Sequence, residues 1–219
     1  MRTVLLPLRR AARAGFTLIE LLAVIGIISI LVVFLLPRVV EAFDAAKVTA
    51  CKQNMVEINK GLLLYRGSFD RSPTGTGVNY FADLISSGVL DNSKSSAMRM
   101  TCPGVEYASL AGIAGRPEVE WYKDASAIDG TFSSYAGRDC KNHALRKFPG
   151  QAKDGALVAD DNDGGMNHTH TTVALLADLS VTTFELDTLR KAGLLGADEE
   201  VLVVGPDSPV KELQVLSLD

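Results

Sequence analysis

Cysteine, histidine and positive charge are all scarce in this chain, and each scarcity narrows the range of functions. The 219 residues include only three cysteines and three histidines. The cysteines, Cys51, Cys102 and Cys140, are separated by 51 and 38 positions, so their spacing does not predict a zinc site. The 22 basic residues are outnumbered by 26 acidic ones, which argues against a nucleic-acid-binding surface.

Motifs of the common enzyme classes are also missing. No serine lies in a nucleophile elbow, and no glycine-rich phosphate loop precedes a predicted helix. Cys140 and His143 are a formal candidate for a nucleophile pair, but closeness in sequence does not establish the geometry that such a pair needs. We therefore expect a protein that is not an enzyme.

What the chain does have is one long apolar segment near its start. Residues 1–15 carry four arginines and no acidic residue, and residues 21–36 contain no charge. As a helix, residues 16–36 would extend about 31 Å, which is enough to cross the hydrocarbon core of a bilayer. The positive-inside rule keeps the basic leader in the cytoplasm and places the remainder of the chain across the membrane. An acidic group costs roughly 2.5–3.5 kcal/mol at mid-bilayer, so we expect Glu20 to have a partner.

The junction between leader and apolar segment reads Gly15-Phe16-Thr17-Leu18-Ile19-Glu20-Leu21-Leu22. It resembles the prepilin-peptidase site of type IV pilins and type II secretion pseudopilins. The resemblance implies cleavage between Gly15 and Phe16, N-methylation of Phe16, and pairing of Glu20 with the liberated amine of a neighbouring subunit. Pro37 matches a proline that is common in those stems. The mature chain would have 204 residues, with 18 basic and 26 acidic side chains and a net charge of −8.

The resemblance also implies a cellular setting. The partners would be a prepilin peptidase and methyltransferase, other pilin or pseudopilin subunits, an inner-membrane assembly platform and a secretion ATPase. The protein would be a structural subunit of a type II secretion pseudopilus or a type IV pilus-like filament, anchored by a single pass in the cytoplasmic membrane with its head outside the cytoplasm. A minor pilin or surface-anchored module that binds a secreted substrate or polymer is the alternative function.

Two simpler interpretations of the apolar segment remain. An ordinary secretory signal would be cut near Val40-Glu41-Ala42, although its apolar region would be longer than usual and Glu20 would have no role. A plain membrane anchor would leave Glu20 incidental. Both interpretations share the membrane-inserted stage with a prepilin.

The apolar periodicity continues beyond Pro37. Apolar residues recur every three or four positions as far as Tyr65, which predicts a helix over about 17–65, broken or bent at Pro37, with one stripe of its second half packed on a sheet. The stretch 46–62, which carries a Cys-x-x-Asn sequence at Cys51, resembles the helix of a planctomycete-type pseudopilin group with a short β-domain.

Later parts of the chain are similar to the same group. Met100-Thr101-Cys102-Pro103-Gly104 resembles its Cys-Pro step, and Asn167-His168 with the following strands resembles its closing hairpin. Where that group has Asp-Gly-His-Val, this chain has Asp178-Leu179-Ser180-Val181. Because a left-handed backbone is unfavourable for leucine, we expect the turn at Leu179 to differ.

The predicted fold class is α+β, with a long N-terminal helical stem packed on a small antiparallel β-sheet head, as in pilins. The expected organisation begins with a cleaved leader over residues 1–15 and a transmembrane and assembly helix over 16–36. An amphipathic stem helix over 37–66, a globular head over 67–204 and a C-terminal tail over 205–219 follow. A short helix is predicted over 81–88. Strands are predicted over 119–122, 131–136, 156–160, 171–177 and 181–184, and residues 201–204 form an edge strand or begin the tail.

Cysteine pairing and metal binding supply the remaining candidate sites in the head. Cys102 and Cys140 are the predicted disulfide pair, since the exported side of the membrane permits oxidation; unbridged small buried residues are the alternative. Asp160, Asp161 and Asp163 lie in a glycine-bearing loop and are candidate calcium ligands, with a solvated loop as the alternative. No other cofactor is expected.

Histidines and aromatic residues supply two further candidates. His168 and His170, together with Asp163 or Asp178, are candidate transition-metal ligands, and polar turn residues are the alternative. An aromatic group is expected to form either a core patch or a binding surface; its members are Trp121, Tyr122, Phe132 and Tyr135.

Overall fold

The computed structural model describes residues 16–147, 149–150 and 155–219. The chain divides into two compact units, Met1–Ala42 and Phe43–Asp219. The predicted leader, including Gly15, lies outside the described residues.

Helix α1, Leu18–Phe69, is 52 residues long. It continues through Pro37 without interruption, so the helix is not broken at this residue, and a bend there stays a prediction. Proline removes one backbone hydrogen bond, here the bond to the carbonyl of Val33, and the turns on either side of Pro37 remain helical.

In the first unit, the described part of α1 buries nothing. Its large apolar side chains over residues 16–36 are all exposed, and an 18-residue window of mean hydropathy 3.0 has no buried residue. By length and composition this helix can cross a membrane.

In the second unit, α1 packs through a narrow stripe, as the periodicity predicts. The buried stripe repeats at intervals of four and three residues and consists of Cys51, Met55, Ile58, Leu62 and Tyr65. Two short helices follow, α2 at Val78–Ser86 and α3 at Lys94–Arg99. The short helix expected over 81–88 is thus present, beginning three residues earlier.

A five-stranded antiparallel sheet completes the second unit. Its strands are β1 at Tyr135–Arg138, β2 at Ala156–Asp160, β3 at Thr171–Leu176, β4 at Val181–Glu185 and β5 at Leu216–Ser217. Their order across the sheet is β4-β3-β2-β1-β5. Helix α4, Leu186–Lys191, follows β4 directly. The α+β arrangement of a long N-terminal helix and a small antiparallel sheet is confirmed.

Both faces of the sheet are covered, and a bulge in β2 decides which side chain faces which core. The pairing register between β2 and β3 shifts between Ala156 and Val158. Leu157 and Val158 consequently both join the core that contains α1, whereas Ala156 and Ala159 join the core formed with α4 and the C-terminal segment. A one-residue bulge reverses the facing of every later residue in its strand, so Asp160 points towards α1.

Several predicted strands differ from the structure. The hairpin of β3 and β4 and the strand β2 are found where the sequence predicts them. The aromatic stretch 119–122 instead includes a 3-10 turn, Glu118–Glu120, and β1 begins at Tyr135 after a further 3-10 turn. Residues 201–204 form no strand.

The predicted tail, 205–219, is an integral part of the second unit. Leu213 and Leu216 are fully buried, and β5 pairs with the outer edge of β1. The apolar stretches of this segment are short and lie close to Pro206 and Pro209, so the sequence gives no clear signal that the segment is part of the core.

The turn between β3 and β4 also departs from expectation. Leu179 adopts the left-handed conformation, with φ of 72°, although leucine disfavours it. The amide of Leu176 donates to the carbonyl of Ser180 at 2.9 Å, and Asp178 Oδ1 accepts from the amide of Ser180 at 3.0 Å. These bonds close a three-residue hairpin loop whose last position requires a positive φ.

Candidate functional site

The N-terminal end of α1 carries a reciprocal pair of hydrogen bonds between Thr17 and Glu20. The Thr17 amide donates to Glu20 Oε2 at 2.9 Å, and the Glu20 amide donates to Thr17 Oγ1 at 3.3 Å. The Thr17 hydroxyl also donates to Glu20 Oε2 at 2.7 Å. This is a capping box, which satisfies amides that a helix leaves unpaired in its first turn. Glu20 therefore has a partner within its own chain.

Phe16 lies immediately outside that cap and is 78% exposed. Phe16 immediately precedes Thr17, whose amide and hydroxyl donate hydrogen bonds to Glu20. A new α-amino group at Phe16 would thus form at the tip of the exposed apolar helix, next to an ionisable carboxyl group.

A second group of functional side chains is buried in the head. Four potential ligand atoms lie within 4.8 Å of one another and belong to Cys51, Cys102, Asp160 and His168. We call these four residues the thiol–histidine cluster. Cys51 Sγ is 3.3 Å from Asp160 Oδ1, Cys102 Sγ is 3.2 Å from His168 Nε2, and His168 Nε2 is 3.7 Å from Asp160 Oδ2. All four residues are buried.

Four separate segments of the chain supply the thiol–histidine cluster. Cys51 begins the buried stripe of α1, and the bulge in β2 turns Asp160 to the same side of the sheet. Cys102 follows α3, and its amide donates to Ser134 Oγ at 3.0 Å. His168 precedes β3.

Two tight loops hold Cys102 against His168. A Cβ on Gly104 would lie 2.1 Å from the carbonyl oxygen of Asn167, so only glycine permits the observed approach. Asn167 Nδ2 in turn donates to the carbonyl of Ser134 at 2.7 Å. The Cys-Pro-Gly and Asn-His sequences therefore meet, a contact that sequence reasoning did not anticipate.

Further groups surround the cluster. The amide of Gly104 donates to Cys102 Sγ at 3.3 Å, and the amide of Val173 donates to Asp160 Oδ2 at 2.7 Å. The hydroxyl of Tyr135 is 3.3 Å from Cys51 Sγ. On the far side of the imidazole, His168 Nδ1 is 4.0 Å from Asp44 Oδ1 and makes no hydrogen bond to any described residue.

Burial controls the ionisation of this cluster when no cation is bound. It raises the pKa of the Cys51 and Cys102 thiols and of the Asp160 carboxyl group. The low dielectric therefore favours the neutral forms of all three groups.

The N-terminal segment matches a known sequence family. Residues 10–36 match the family model described as a prokaryotic N-terminal methylation motif. The match supports a prepilin-like protein, of the type IV pilin and pseudopilin kind, and points to a structural role. No curated protein and no solved structure matches the chain.

The predicted cysteine pair has a different environment in this prepilin-like chain. All three cysteines are unbridged. Cys102 contacts Cys51 and His168 in the cluster, whereas Cys140 Sγ is 3.8 Å from the carbonyl oxygen of Pro73. The structure therefore places Cys102 beside Cys51 of α1, with no bond between them, and a Cys102–Cys140 disulfide stays a prediction.

The three candidate calcium ligands do not point to one place. Asp160 faces the thiol–histidine cluster, Asp163 is exposed, and Asp161 Oδ1 accepts from the amide of Asp163 at 3.3 Å. Burial raises the pKa of Asp161 to about 7. Calcium binding in this loop stays a prediction.

The histidines also separate. His168 is buried beside Asp160, whereas His170 is exposed, so neither Asp163 nor Asp178 completes a site with both. The predicted aromatic group is core rather than surface, because Trp121, Tyr122, Phe132 and Tyr135 are all buried.

The signal for the capping box was present in the sequence as Thr17-x-x-Glu20, directly before an apolar run. The thiol–histidine cluster had a weaker signal, since its members are spread over 118 positions from Cys51 to His168. Only the bulge and the Gly104 contact bring them together.

Proposed function

We propose that this chain is a structural subunit of a type II secretion pseudopilus or a type IV pilus-like filament. Prepilin peptidase cuts between Gly15 and Phe16, and the same enzyme class methylates the new amine of Phe16. The observation that carries the proposal is the exposed apolar segment 16–36, which lies within the residues 10–36 that match the methylation motif.

Exposed apolar surface supplies the cohesion of the filament. These side chains contact lipid before assembly and the stems of neighbouring subunits afterwards, because burial away from water is favourable in both settings. The Cys-x-x-Asn helix favours the pseudopilin side of the proposal. The head faces away from the cytoplasm, and the leader remains inside.

Glu20 changes partner during assembly. In the single chain, Thr17 satisfies the carboxylate through its amide and its hydroxyl. In the filament, the methylated amine of a neighbour's Phe16 supplies an opposite charge in a low-dielectric surrounding, where the attraction is stronger than in water. This pairing fixes the axial position of each subunit.

Mass spectrometry of the mature protein tests the processing step. We expect a chain that begins at Phe16, has 204 residues and carries one added methyl group. Replacement of Gly15 by tryptophan should leave the full-length precursor in the membrane, whereas Arg13→Lys should be processed normally because the charge is retained. An intact methionine terminus, or a cut near Ala42, would overturn the proposal.

Glu20→Gln tests the assembly step separately. We expect cleavage to proceed and filament incorporation, measured by crosslinking of stems in membranes, to be lost. Glu41→Gln is the matched control, since Glu41 is an exposed glutamate of the same helix outside the apolar segment. Equal incorporation of both variants would contradict the proposed pairing.

A further inference from the structure

We propose that the thiol–histidine cluster is a structural zinc site that ties α1 to the sheet of the head. The ligands are the sulfur atoms of Cys51 and Cys102, a carboxylate oxygen of Asp160 and Nε2 of His168. The proposal is independent of filament assembly, since every ligand belongs to the unit Phe43–Asp219.

The spacing of the donor atoms suits a tetrahedral ion. Zinc bonds of about 2.0–2.3 Å place tetrahedral donor atoms about 3.3–3.8 Å apart. Cys102 Sγ and His168 Nε2 are 3.2 Å apart. Asp160 has Oδ1 at 3.3 Å from Cys51 Sγ and Oδ2 at 3.7 Å from His168 Nε2. With one ligand atom from each residue, all four lie within 4.8 Å of one another. Shifts of up to about 1 Å bring all four atoms to the spacing of a tetrahedral zinc site.

The donor set selects the metal. Two thiolates and one imidazole favour zinc over calcium or magnesium, which prefer oxygen ligands. Four protein ligands in a buried position leave no place for water or substrate, which is the arrangement of a structural rather than a catalytic zinc site.

Groups around the cluster are placed to hydrogen-bond to the proposed ligands and to orient them. A ligating histidine usually directs its second ring nitrogen at a carboxylate, and His168 Nδ1 faces Asp44 at 4.0 Å without another partner among the described residues. The Gly104 amide at 3.3 Å stabilises negative charge on Cys102 Sγ. The Val173 amide orients the Asp160 carboxylate.

The charge of the site is compatible with a divalent cation. Zinc binding displaces the protons of the two thiols and the carboxyl group, and the ion reduces the three resulting negative charges to one. The same ion joins helix α1 to three segments of the head, so a pull on the stem is resisted by coordinate bonds as well as by packing.

Metal analysis of the full-length, untagged protein in mild detergent tests the proposal. We expect one zinc ion per chain after gel filtration. X-ray absorption spectroscopy should show two sulfur and two nitrogen or oxygen neighbours, with Zn–S bonds of about 2.3 Å. This measurement needs no variant and is therefore unaffected by misfolding.

Matched variants assign the ligands. Cys102→Ser and His168→Gln should lose the zinc, whereas Cys140→Ser and His170→Gln should retain it. Asp44→Asn should weaken zinc binding about 10–100-fold, because Asp44 faces the second ring nitrogen of His168 and also accepts from the amide of the next residue, Thr169. Glu41→Gln is the control for that effect.

Four outcomes would overturn the proposal. Protein without metal and with three titratable thiols would indicate a hydrogen-bonded cluster only. A mass lower by two hydrogens, mapped to Cys51 and Cys102, would indicate a disulfide. Retention of zinc in both ligand variants, or a different metal bound by these four residues, would also contradict the assignment.

Discussion

Because Gly104 has no Cβ, the loop that contains it can pack closely against the loop that contains Asn167. The Cys-Pro-Gly loop crosses the carbonyl of Asn167 at a distance that leaves no room for a methyl group. The contact is with backbone atoms rather than with the end of a flexible side chain. Room for a methyl group therefore requires a backbone shift in one of the two loops.

Gly104→Ala should therefore lower the free energy of unfolding by about 1–3 kcal/mol, the usual cost of forcing extra volume into a packed site. Gly67→Ala is the control, because a Cβ at this helical position meets no atom within 4 Å and alanine favours a helix over glycine. Thermal unfolding in detergent measures both. Equal destabilisation of the two variants would contradict the close approach.

Asp139 stabilises the turn that follows β1. Its Oδ1 accepts from the amides of Lys141 and Asn142 at 3.1 and 3.2 Å, and its Oδ2 accepts from Asn142 Nδ2 at 2.6 Å. Burial by itself would raise the pKa of Asp139, but these hydrogen bonds outweigh it and hold the pKa below its usual value.

Asp139→Asn should consequently destabilise the protein by about 1 kcal/mol at pH 7, through loss of the charged acceptor. A depressed folded-state pKa adds stability above the unfolded pKa of about 3.9, and that stability is lost as the pH falls through the folded value. The difference between variant and parent should therefore shrink as the pH falls below the unfolded pKa of about 3.9. Asp207→Asn, at an exposed position, is the control and should change the free energy of unfolding little. A difference between Asp139→Asn and the parent that stays constant as the pH falls would contradict the argument.

Among the elements, strand β5 contributes more than its two residues suggest. Leu216 is fully buried and pairs with Arg138, so the end of the chain closes one edge of the sheet. It also fills the second core, between the sheet and α4.

Leu216→Ala should cost about 2–4 kcal/mol, because it removes buried methyl groups and leaves a cavity at the sheet edge. Val203→Ala provides a comparison, since Val203 is 49% exposed and should change stability little. Chemical denaturation of both variants checks the expectation. A small effect at Leu216 would mean that the edge strand is dispensable.

Elements with strong local patterns could be predicted from the sequence, and those defined by distant contacts could not. The buried stripe of α1 and the hairpin of β3 and β4 follow from periodicity alone. Strand β5 is too short to carry a pattern, and Leu179 takes its unfavourable φ because the hairpin closes around it.

The same division holds for the candidate sites. The Gly15–Phe16 junction and Glu20 form a continuous motif, so they can be recognised together in the sequence, and the family match spans residues 10–36. The thiol–histidine cluster depends on a bulge of one residue in β2 and on the missing Cβ of Gly104. Neither feature is readable without coordinates, and the wide cysteine spacing pointed away from a metal.

At the scale of the whole molecule, the two units differ in whether their apolar side chains are exposed or buried. The described part of the first unit exposes its apolar side chains, whereas the second unit buries two cores of its own. The second unit, residues 43–219, also has 17 basic and 24 acidic residues, a net charge of −7, which favours solubility. This unit, which keeps the second half of α1, should fold without residues 1–42.

Deletion of residues 1–42 should therefore yield a monomer that is soluble without detergent and unfolds in one cooperative thermal transition. Light scattering after gel filtration and circular dichroism measure these two properties. A longer deletion, through residue 55, is the matched control, because it also removes Cys51 and Met55 from the core stripe of α1. The longer deletion should be unfolded or aggregated. If the shorter fragment aggregated as well, residues 1–42 would be required for folding, and the head could not act as an independent unit carried on an apolar stem.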